Sequence, residues 1–189
     1  MTTSSGSRPI STSRTRCSPA SRPEPAGALI LGIDPGSRVT GYGFIRRARG
    51  VTSCERSGVI APRAALPFAD RLLAIHDALA DLIEELHPDE VAVETAFVRK
   101  SASAALQIGH VRGVILLAAR RSGAAIFEYT APEVKMAVAS HGAAGKDQVG
   151  FMVRRLIPGL PTLREDEADA LAVALCHANR AALRARGLR

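Results

Sequence analysis

Residues 28–34, ALILGID, decide how the rest of the sequence is interpreted. The run is short and almost continuously apolar, and it stops at the turn-forming sequence Asp34-Pro35-Gly36. A short apolar run bounded by a turn signal is typical of a central strand that is buried on both faces. The sequence therefore predicts a buried strand that ends on an acidic side chain.

The segments beyond this strand alternate between strand and helix patterns. GYGFIRRA and VTSCERSGVIAP have strand character, and leucine and isoleucine recur at steps of three and four over 66–86, which indicates an amphipathic helix. The further predicted elements are strands at 41–48, 51–62, 90–95 and 125–130 and helices at 66–86, 101–121, 132–139, 146–157 and 165–183. This order predicts an α/β fold with helices packed on a sheet.

The length and composition indicate one ordinary globular domain. The chain has 189 residues, of which 47% are hydrophobic, and its formal net charge is +7. A basic domain of this kind usually binds a polyanion, and nucleic acid is the first candidate, although an arginine-rich composition can be basic without binding anything.

The cysteine pattern and the absence of targeting signals indicate a cytoplasmic protein. The three cysteines, Cys17, Cys54 and Cys176, are odd in number and lack the spacing of metal ligands. This predicts a reduced protein without structural zinc or disulfides. We also expect no membrane partner, because no apolar run approaches the roughly 20 residues that a membrane span needs, and no secretory signal is evident.

The domain boundaries follow from composition. Residues 1–27 are rich in Ser, Thr, Arg and Pro and are predicted to be disordered. They could be a basic arm that adds DNA affinity or a dispensable extension; the second interpretation is preferred, and composition does not decide between them. The globular domain is expected to span 28–183, and residues 184–189 are expected to form a basic C-terminal tail.

Four acidic residues stand out by their location. Asp34 ends the first strand, Glu94 ends the strand VAVE, and Asp166 and Asp169 begin the last helix three residues apart. Strand ends lie at the rim of a sheet, and residues at i and i+3 share one side of a helix. If the helix docks near the strand ends, up to four carboxylates converge. Glu165 could reach the same side of the helix as Asp166.

Crowded carboxylates repel one another, and divalent cations relieve this repulsion. Mg²⁺ prefers hard oxygen ligands, and two ions about 3.5–4 Å apart can act on the attacking and leaving oxygens of a phosphodiester. Taken singly, Asp34 could be only a turn residue, and Asp166 and Asp169 could be only favourable charges at a helix N-terminus. Glu94 is harder to explain by structure alone. The set therefore predicts a magnesium-dependent nuclease.

Five long segments resemble, in order, the bacterial RuvC family of Holliday-junction resolvases. They are LILGIDPGSRVTGYGFI (29–45), VAVETAFVRKSASAALQIGHVRG (91–113), FEYTAPEVKMAV (127–138), GKDQVGFMVRRLI (145–157) and DEADALAVALCH (166–177). The resemblance implies an RNase H-like fold with a mixed five-stranded sheet and helices on both faces. It also implies a homodimer, symmetric nicking of two opposing strands of four-way junction DNA, and work alongside the RuvA and RuvB branch-migration proteins in recombination and repair.

The resemblance assigns the metal site residue by residue. It implies that Asp34, Glu94, Asp166 and Asp169 are catalytic metal ligands for two Mg²⁺ ions per active site, with Mn²⁺ as a possible substitute. Some relatives carry histidine at the third position, so the assignment of Asp166 rests on its three-residue spacing from Asp169, and Glu165 stays a rival.

Further residues are implied to contact DNA. Phe97 resembles the aromatic residue that stacks on bases at the opened junction, and Lys135 and Lys146 resemble lysines near the scissile phosphate. Without the resemblance these would be interpreted as a core phenylalanine and two solvated lysines. Weaker candidates for phosphate contacts are Arg99, Lys100 and Arg112. The glycines expected to allow tight turns and close backbone approach are Gly36, Gly41 and Gly43.

Three other functions are compatible with parts of the sequence. An actin-like sugar kinase or chaperone ATPase also has an acidic turn after a first strand, but it needs a second domain for which 189 residues leave no room. A DNA-binding protein with a degenerate nuclease fold is disfavoured because all four acidic positions are filled. The shorter RuvX/YqgF type of RNase H-like nuclease, which acts on RNA, lacks the long match from Phe97 to Arg112.

Overall fold

The computed structural model describes residues 10–16, 27–48, 50–95, 101–140, 142, 145–185 and 187. The strands are β1 (Ile10–Arg16), β2 (Leu29–Asp34), β3 (Thr40–Ala48), β4 (Val51–Pro62), β5 (Glu90–Thr95) and β6 (Ala125–Thr130). The helices are α1 (Phe68–Leu86), α2 (Ala102–Arg121), α3 (Ala131–Ala139), α4 (Lys146–Leu156) and α5 (Glu165–Ala185). The predicted strands and helices are all present, with ends that shift by one or two residues.

The strands form one mixed sheet in the order β1-β4-β3-β2-β5-β6. The first four are antiparallel neighbours, whereas β5 runs parallel to both β2 and β6. Parallel neighbours need a crossover connection, and α1 and α2 occupy the chain between them. β2 therefore lies between an antiparallel hairpin and a parallel pair, so its carboxyl end meets that of β5 at one edge.

Helices cover both faces of the sheet. Leu31 and Ile33 pack in a core with Leu79 of α1 and Ile115 of α2. Ile30, between them in β2, belongs instead to a second core that contains residues of α3, α4 and α5. Successive strand residues point to opposite faces, which explains why β2 is apolar at every position before Asp34 and why its continuous apolar run predicted a strand buried on both faces.

The helix α5 lies closest to the sheet. Its buried residues run almost without interruption from Glu167 to Ala178, and a Cβ atom built on Gly43 would stand 2.6 Å from the side chain of Leu171. Glycine in β3 thus allows a leucine of the helix to reach the strand backbone, as close approach requires. The helix is held over the middle of the sheet with little room to shift.

Two boundaries differ from the sequence prediction. The predicted disorder of residues 1–27 is wrong for residues 10–16, because β1 pairs antiparallel with β4 from Ile10↔Pro62 to Arg16↔Arg56. The physical reason is that β4 offers an open edge of unpaired backbone groups, which a strand distant in sequence can satisfy whatever its composition. The predicted tail is also shorter, since α5 continues to Ala185.

A third difference concerns α2. This 20-residue helix is long and apolar enough to cross a membrane by length and composition alone, contrary to the expectation that no such run exists. Only part of the helix is buried: Val111, Ile115 and Ala119 face the core with α1, whereas Leu106 and Leu117 are exposed. A single helix of this kind is weak evidence for a membrane. The side of α2 that carries Val111, Ile115 and Ala119 is buried by packing on α1 and the sheet.

Candidate active site

Asp34 and Glu94 lie at the ends of two neighbouring parallel strands. In the register of β2 and β5, Ile33 stands opposite Val93. Asp34 and Glu94 are the next residues of these strands, and both side chains are half-buried. Because neighbouring strands run about 4.8 Å apart, the two acidic residues share one edge of the sheet.

The beginning of α5 rests directly on the same part of the sheet. A Cβ atom built on Gly41 would stand 1.9 Å from the carbonyl oxygen of Asp166, and one on Gly32 would stand 2.2 Å from that of Ala170. Any side chain at either glycine would push the helix away. Since Gly41 is the strand partner of Asp34, the backbone of Asp166 lies over the strand beside Asp34.

Asp169 completes the set of acidic positions. It follows Asp166 by three residues on α5, so the two lie on one side of the helix with Cβ atoms roughly 5–6 Å apart. Within the described parts of the chain, no three His, Cys, Asp or Glu side chains are grouped closely enough to hold a metal ion together. The backbone thus brings the four positions to one edge, and their side chains would have to converge further to share a cation.

The three consecutive acids at the start of α5 have different surroundings. Glu165 is exposed, whereas Asp166 is half-buried where its backbone meets Gly41. Glu167 is 2% exposed and accepts a hydrogen bond of 2.6 Å from the hydroxyl of Ser57 in β4. The helix therefore presents Glu165 to solvent, turns Glu167 toward the sheet, and leaves Asp166 between the two.

The loop that follows Asp34 is fixed from within and from α1. The buried Thr40 hydroxyl donates to the carbonyl of Gly36 at 2.8 Å, which closes the turn. From α1, the Arg71 guanidinium donates to the carbonyl of Ser37 at 3.3 Å and lies 5.3 Å from the ring centroid of Phe68. These contacts hold the chain just beyond Asp34, which limits how far that residue can move.

A cavity of about 690 Å³ lies elsewhere, between α3 and the C-terminal half of α5. Its lining is mainly apolar, and both of its arginines already have partners: Arg47 donates to Asn179 at 2.7 Å, and Arg180 pairs with Glu133 at 2.9 Å. Asn179 is ten residues beyond Asp169, or about 15 Å along the helix. We place the candidate site at the acidic edge, because the chemistry-bearing side chains are there.

Comparison with known proteins identifies the family. Residues 30–177 match the model of the family described as crossover junction endodeoxyribonuclease RuvC. The protein of that name from Acidiphilium cryptum is 49% identical over 162 residues, which cover 86% of this chain and 97% of the relative. That from Granulibacter bethesdensis is 46% identical over 165 residues, or 87% and 93% of the two chains. The chain belongs to the RuvC family.

Solved structures agree with this assignment. Thermus thermophilus RuvC, solved in complex with a Holliday junction substrate, has a TM-score of 0.75 and is 32% identical over 82% of this chain and 94% of its own. The yeast mitochondrial Holliday junction resolvase Ydc2 has a TM-score of 0.61 at 16% identity, covering 85% of this chain and 81% of its own, and shows a shared fold alone.

Family membership confirms three predictions. RuvC has an RNase H-like fold, which β2 to β6 and the helices on both faces reproduce, with β1 as an additional sixth strand. The family consists of crossover junction endodeoxyribonucleases, so the chain is an endonuclease of the hydrolase class. Nucleases of this family depend on metal ions. The ATPase alternative is thereby set aside.

Some of the predicted DNA-binding residues lie within the described parts of the chain and others do not. Phe97, Arg99 and Lys100 lie outside the described residues. Arg112 is half-buried and makes an ion pair with Glu128 of β6. A guanidinium engaged in this way has fewer donors left for a phosphate, so Arg112 becomes the weakest of the described candidates.

The two predicted lysines lie on the two helices that follow β6. Lys135 is half-buried in α3, which follows β6 directly, and Tyr129 of β6 stands opposite Glu94. Lys146 is the first residue of α4, and its side chain is outside the described set. A Cβ atom on Gly142 would lie 3.6 Å from the carbonyl oxygen of Pro132, so the connection before α4 returns to the start of α3.

Sequence reasoning missed Glu167, Ser57 and Arg71. In the sequence, Glu167 is one of three successive acids and Ser57 is one polar residue in a strand. Only the packing of α5 on the sheet shows that these two residues meet. Arg71 could have been noticed, because a cation near the N-terminus of a helix interacts unfavourably with the helix dipole. Its presence there weakly indicates a contact outside the helix.

Proposed function

We propose that the chain resolves Holliday junctions by hydrolysing phosphodiester bonds in two opposing strands, in homologous recombination and DNA repair. The observation that carries this proposal is the placement of Asp34, Glu94, Asp166 and Asp169 at one edge of an RNase H-like sheet. The junction-bound state of the Thermus thermophilus relative supports four-way junction DNA as the substrate.

The residues at this edge suit a magnesium site. All four are carboxylates, which are the hard oxygen ligands that Mg²⁺ prefers, and the absence of a Cβ atom at Gly41 lets α5 bring Asp166 close to the strands. In this proposal Asp34, Glu94, Asp166 and Asp169 hold two Mg²⁺ ions, with Mn²⁺ as a substitute. Such ions supply an activated water and charge stabilisation at the leaving oxygen.

The structure supports Asp166 over Glu165 as the third acid. Asp166 is half-buried against the strand partner of Asp34, whereas Glu165 is exposed at the same end of the helix. A ligand whose backbone is already held by packing has less conformational freedom to lose on binding a cation. In this proposal, Asp34 and Glu94 supply carboxylate oxygens as metal ligands from fixed positions at the strand ends.

DNA contacts in this proposal surround the acidic edge. Lys135, in the middle of α3, and Lys146, the first residue of α4, contact the phosphate backbone in this proposal, where a cation stabilises developing negative charge. Phe97 stacks on unpaired bases at the junction centre, a contact worth roughly 1–3 kcal/mol per base. Arg99 and Lys100 add phosphate contacts next to it.

A homodimer is the proposed form of the enzyme. Two opposing strands require two active sites, and α2 offers a surface suited to a second copy, because Leu106 and Leu117 are 65% and 55% exposed. They are eleven residues apart, close to three full turns, so they lie on the same side of the helix. The proposed setting is the bacterial cytoplasm, together with RuvA and RuvB.

The deciding experiment compares three substrates: a synthetic four-way junction, duplex DNA and an RNA–DNA hybrid. We expect Mg²⁺-dependent cleavage of the junction in two opposing strands and no cleavage with a chelator present. Duplex DNA is the control for structure selectivity. Rapid hybrid cleavage without junction cleavage would contradict the proposal and indicate a ribonuclease.

A further inference from the structure

Glu167 is the only carboxylate side chain that is buried within the described parts of the chain. Its Oε1 accepts the Ser57 hydroxyl at 2.6 Å, and its Oε2 accepts the backbone N–H of Arg164 at 3.3 Å. Ser57 is itself fully buried in β4. Both carboxylate oxygens are therefore satisfied, one from the sheet and one from the chain that enters α5.

This contact connects the first turn of α5 to a strand that is 110 residues away in sequence. Ser57 stands opposite Gly43 of β3 in the register, so the contact reaches past the strand on which α5 rests. Each residue of a helix is rotated by about 100° from the one before it. Fixing the direction of Glu167 consequently fixes the directions of Asp166 and Asp169.

Stability alone is a weak reason for such a pair. A buried hydrogen-bonded carboxylate contributes little net free energy, and an apolar pair of the same volume is often as stable or more stable. A directional hydrogen bond sets an orientation that apolar packing leaves looser. Glu167 lies between the two acidic residues that the proposed reaction requires on this helix.

We propose that Ser57 and Glu167 are a positioning pair that orients Asp166 and Asp169 for metal binding. The inference rests on the proposed function, because it assumes that these aspartates are metal ligands. Residues that orient metal ligands in this way typically change metal affinity or activity by about 10- to 100-fold when they are replaced.

The test measures Mn²⁺ binding to the full chain without DNA, by electron paramagnetic resonance, together with the metal concentration that gives half-maximal junction cleavage. Ser57→Ala is expected to weaken Mn²⁺ binding about tenfold, whereas Ser57→Thr, which keeps the hydroxyl, is expected to retain most of the affinity. Glu167→Gln is a milder second variant in case Ser57→Ala unfolds, and its affinity should fall in the same direction.

A double replacement separates positioning from stability. Ser57→Ala/Glu167→Leu removes both polar groups, so we expect the melting temperature to recover while Mn²⁺ affinity stays low. The matched control is Asn179→Ala, which removes two hydrogen bonds twelve residues further along α5, to Arg47 and to the carbonyl of Ala137. It should lower the melting temperature and leave Mn²⁺ affinity unchanged.

The outcomes distinguish this inference from the proposed function. Recovery of Mn²⁺ affinity in the double variant, or normal affinity in folded Ser57→Ala, would overturn the positioning role and leave the nuclease assignment intact. A wild-type chain that binds no Mn²⁺ and cuts junctions with a chelator present would overturn both.

Discussion

The two ends of α5 use polar side chains in opposite ways. At its C-terminal half, the fully buried His177 joins Tyr129 at 2.7 Å and Glu90 at 2.9 Å. At its N-terminal end, Asp166 and Asp169 are half-buried at the edge where β2 and β5 end. One helix therefore carries a polar network inside the core at one end and the candidate catalytic acids at the other.

The difference shows which polar groups hold the fold together. Both ring nitrogens of His177 have partners, its ring lies 4.2 Å from that of Phe127, and Arg180 further along the helix pairs with Glu133. Buried polar groups of this kind have to be satisfied for the chain to fold. Asp166 and Asp169 at the other end stay within reach of solvent, as ligands for a cation or substrate must.

The largest effect is expected at the N-terminal end. Asp34→Asn should reduce junction cleavage on the order of 1,000-fold or more, because a neutral amide is a poor ligand for a hard cation. Folding and junction binding should be retained. Cleavage assays and a binding titration on the same preparation test this, and wild-type cleavage by a folded variant would refute the metal assignment.

The second-largest effect is expected on the free energy of unfolding, from the C-terminal half of α5. His177→Ala should lower the free energy of unfolding by about 3 kcal/mol, because it leaves the Tyr129 hydroxyl and the Glu90 carboxylate without their partner and opens a cavity. Tyr129→Phe, which removes one hydroxyl, should cost about 1 kcal/mol. Urea denaturation gives both values. A change in Mn²⁺ affinity of the folded His177→Ala chain would show that the two ends are coupled.

A smaller effect is expected on the stability of the fold at acidic pH, through Glu133. Hydrogen bonds from the Thr130 backbone and hydroxyl hold the pKa of Glu133 below its ordinary value of 4.5. A carboxylate with a lowered pKa stabilises the fold above its unfolded pKa, and this contribution is lost as the pH falls through the folded value. The stability difference between wild type and Glu133→Gln should therefore shrink on acidification below about pH 4.5. A difference that is constant down to pH 3 would contradict this.

The smallest effect concerns the reactivity of the Cys176 thiol. Burial raises the pKa of the Cys176 thiol to about 11, so the native chain should show almost no alkylation of Cys176 at pH 8, where the thiol stays protonated. Mass spectrometry of the alkylated protein gives the answer. Rapid modification at this residue would indicate that the C-terminal half of α5 opens readily, contrary to its closed network.

The sequence predicted the described fold well where the signal was local. β2 was recognised from its own apolar run and α1 from the spacing of its own apolar residues, because in both elements the buried positions are visible in the local sequence. β1 was missed, since the sequence ISTSRTR has no alternating apolar pattern and forms a strand through the edge of β4. Pairing between distant segments leaves little trace in either segment alone.

The candidate site shows the same division. The positions of Asp34 and Glu94 followed from strand ends, which are local features. Among the three acids at 165–167, the sequence could not show which is buried, because the rotation of α5 follows from its packing on the sheet, where Glu167 meets Ser57. A motif can therefore place an acid on an element, but the direction of its side chain depends on packing between elements.

The pairing of β1 with β4 has a consequence for handling the protein. A shortened chain beginning at residue 28 would leave the backbone groups of β4 from Arg56 to Pro62 without the partners that β1 supplies. An unpaired strand edge is a template for other strands. Charged residues on an edge strand discourage such pairing, and β1 carries Arg14 and Arg16. The shortened chain is therefore expected to precipitate at concentrations that the 189-residue chain tolerates.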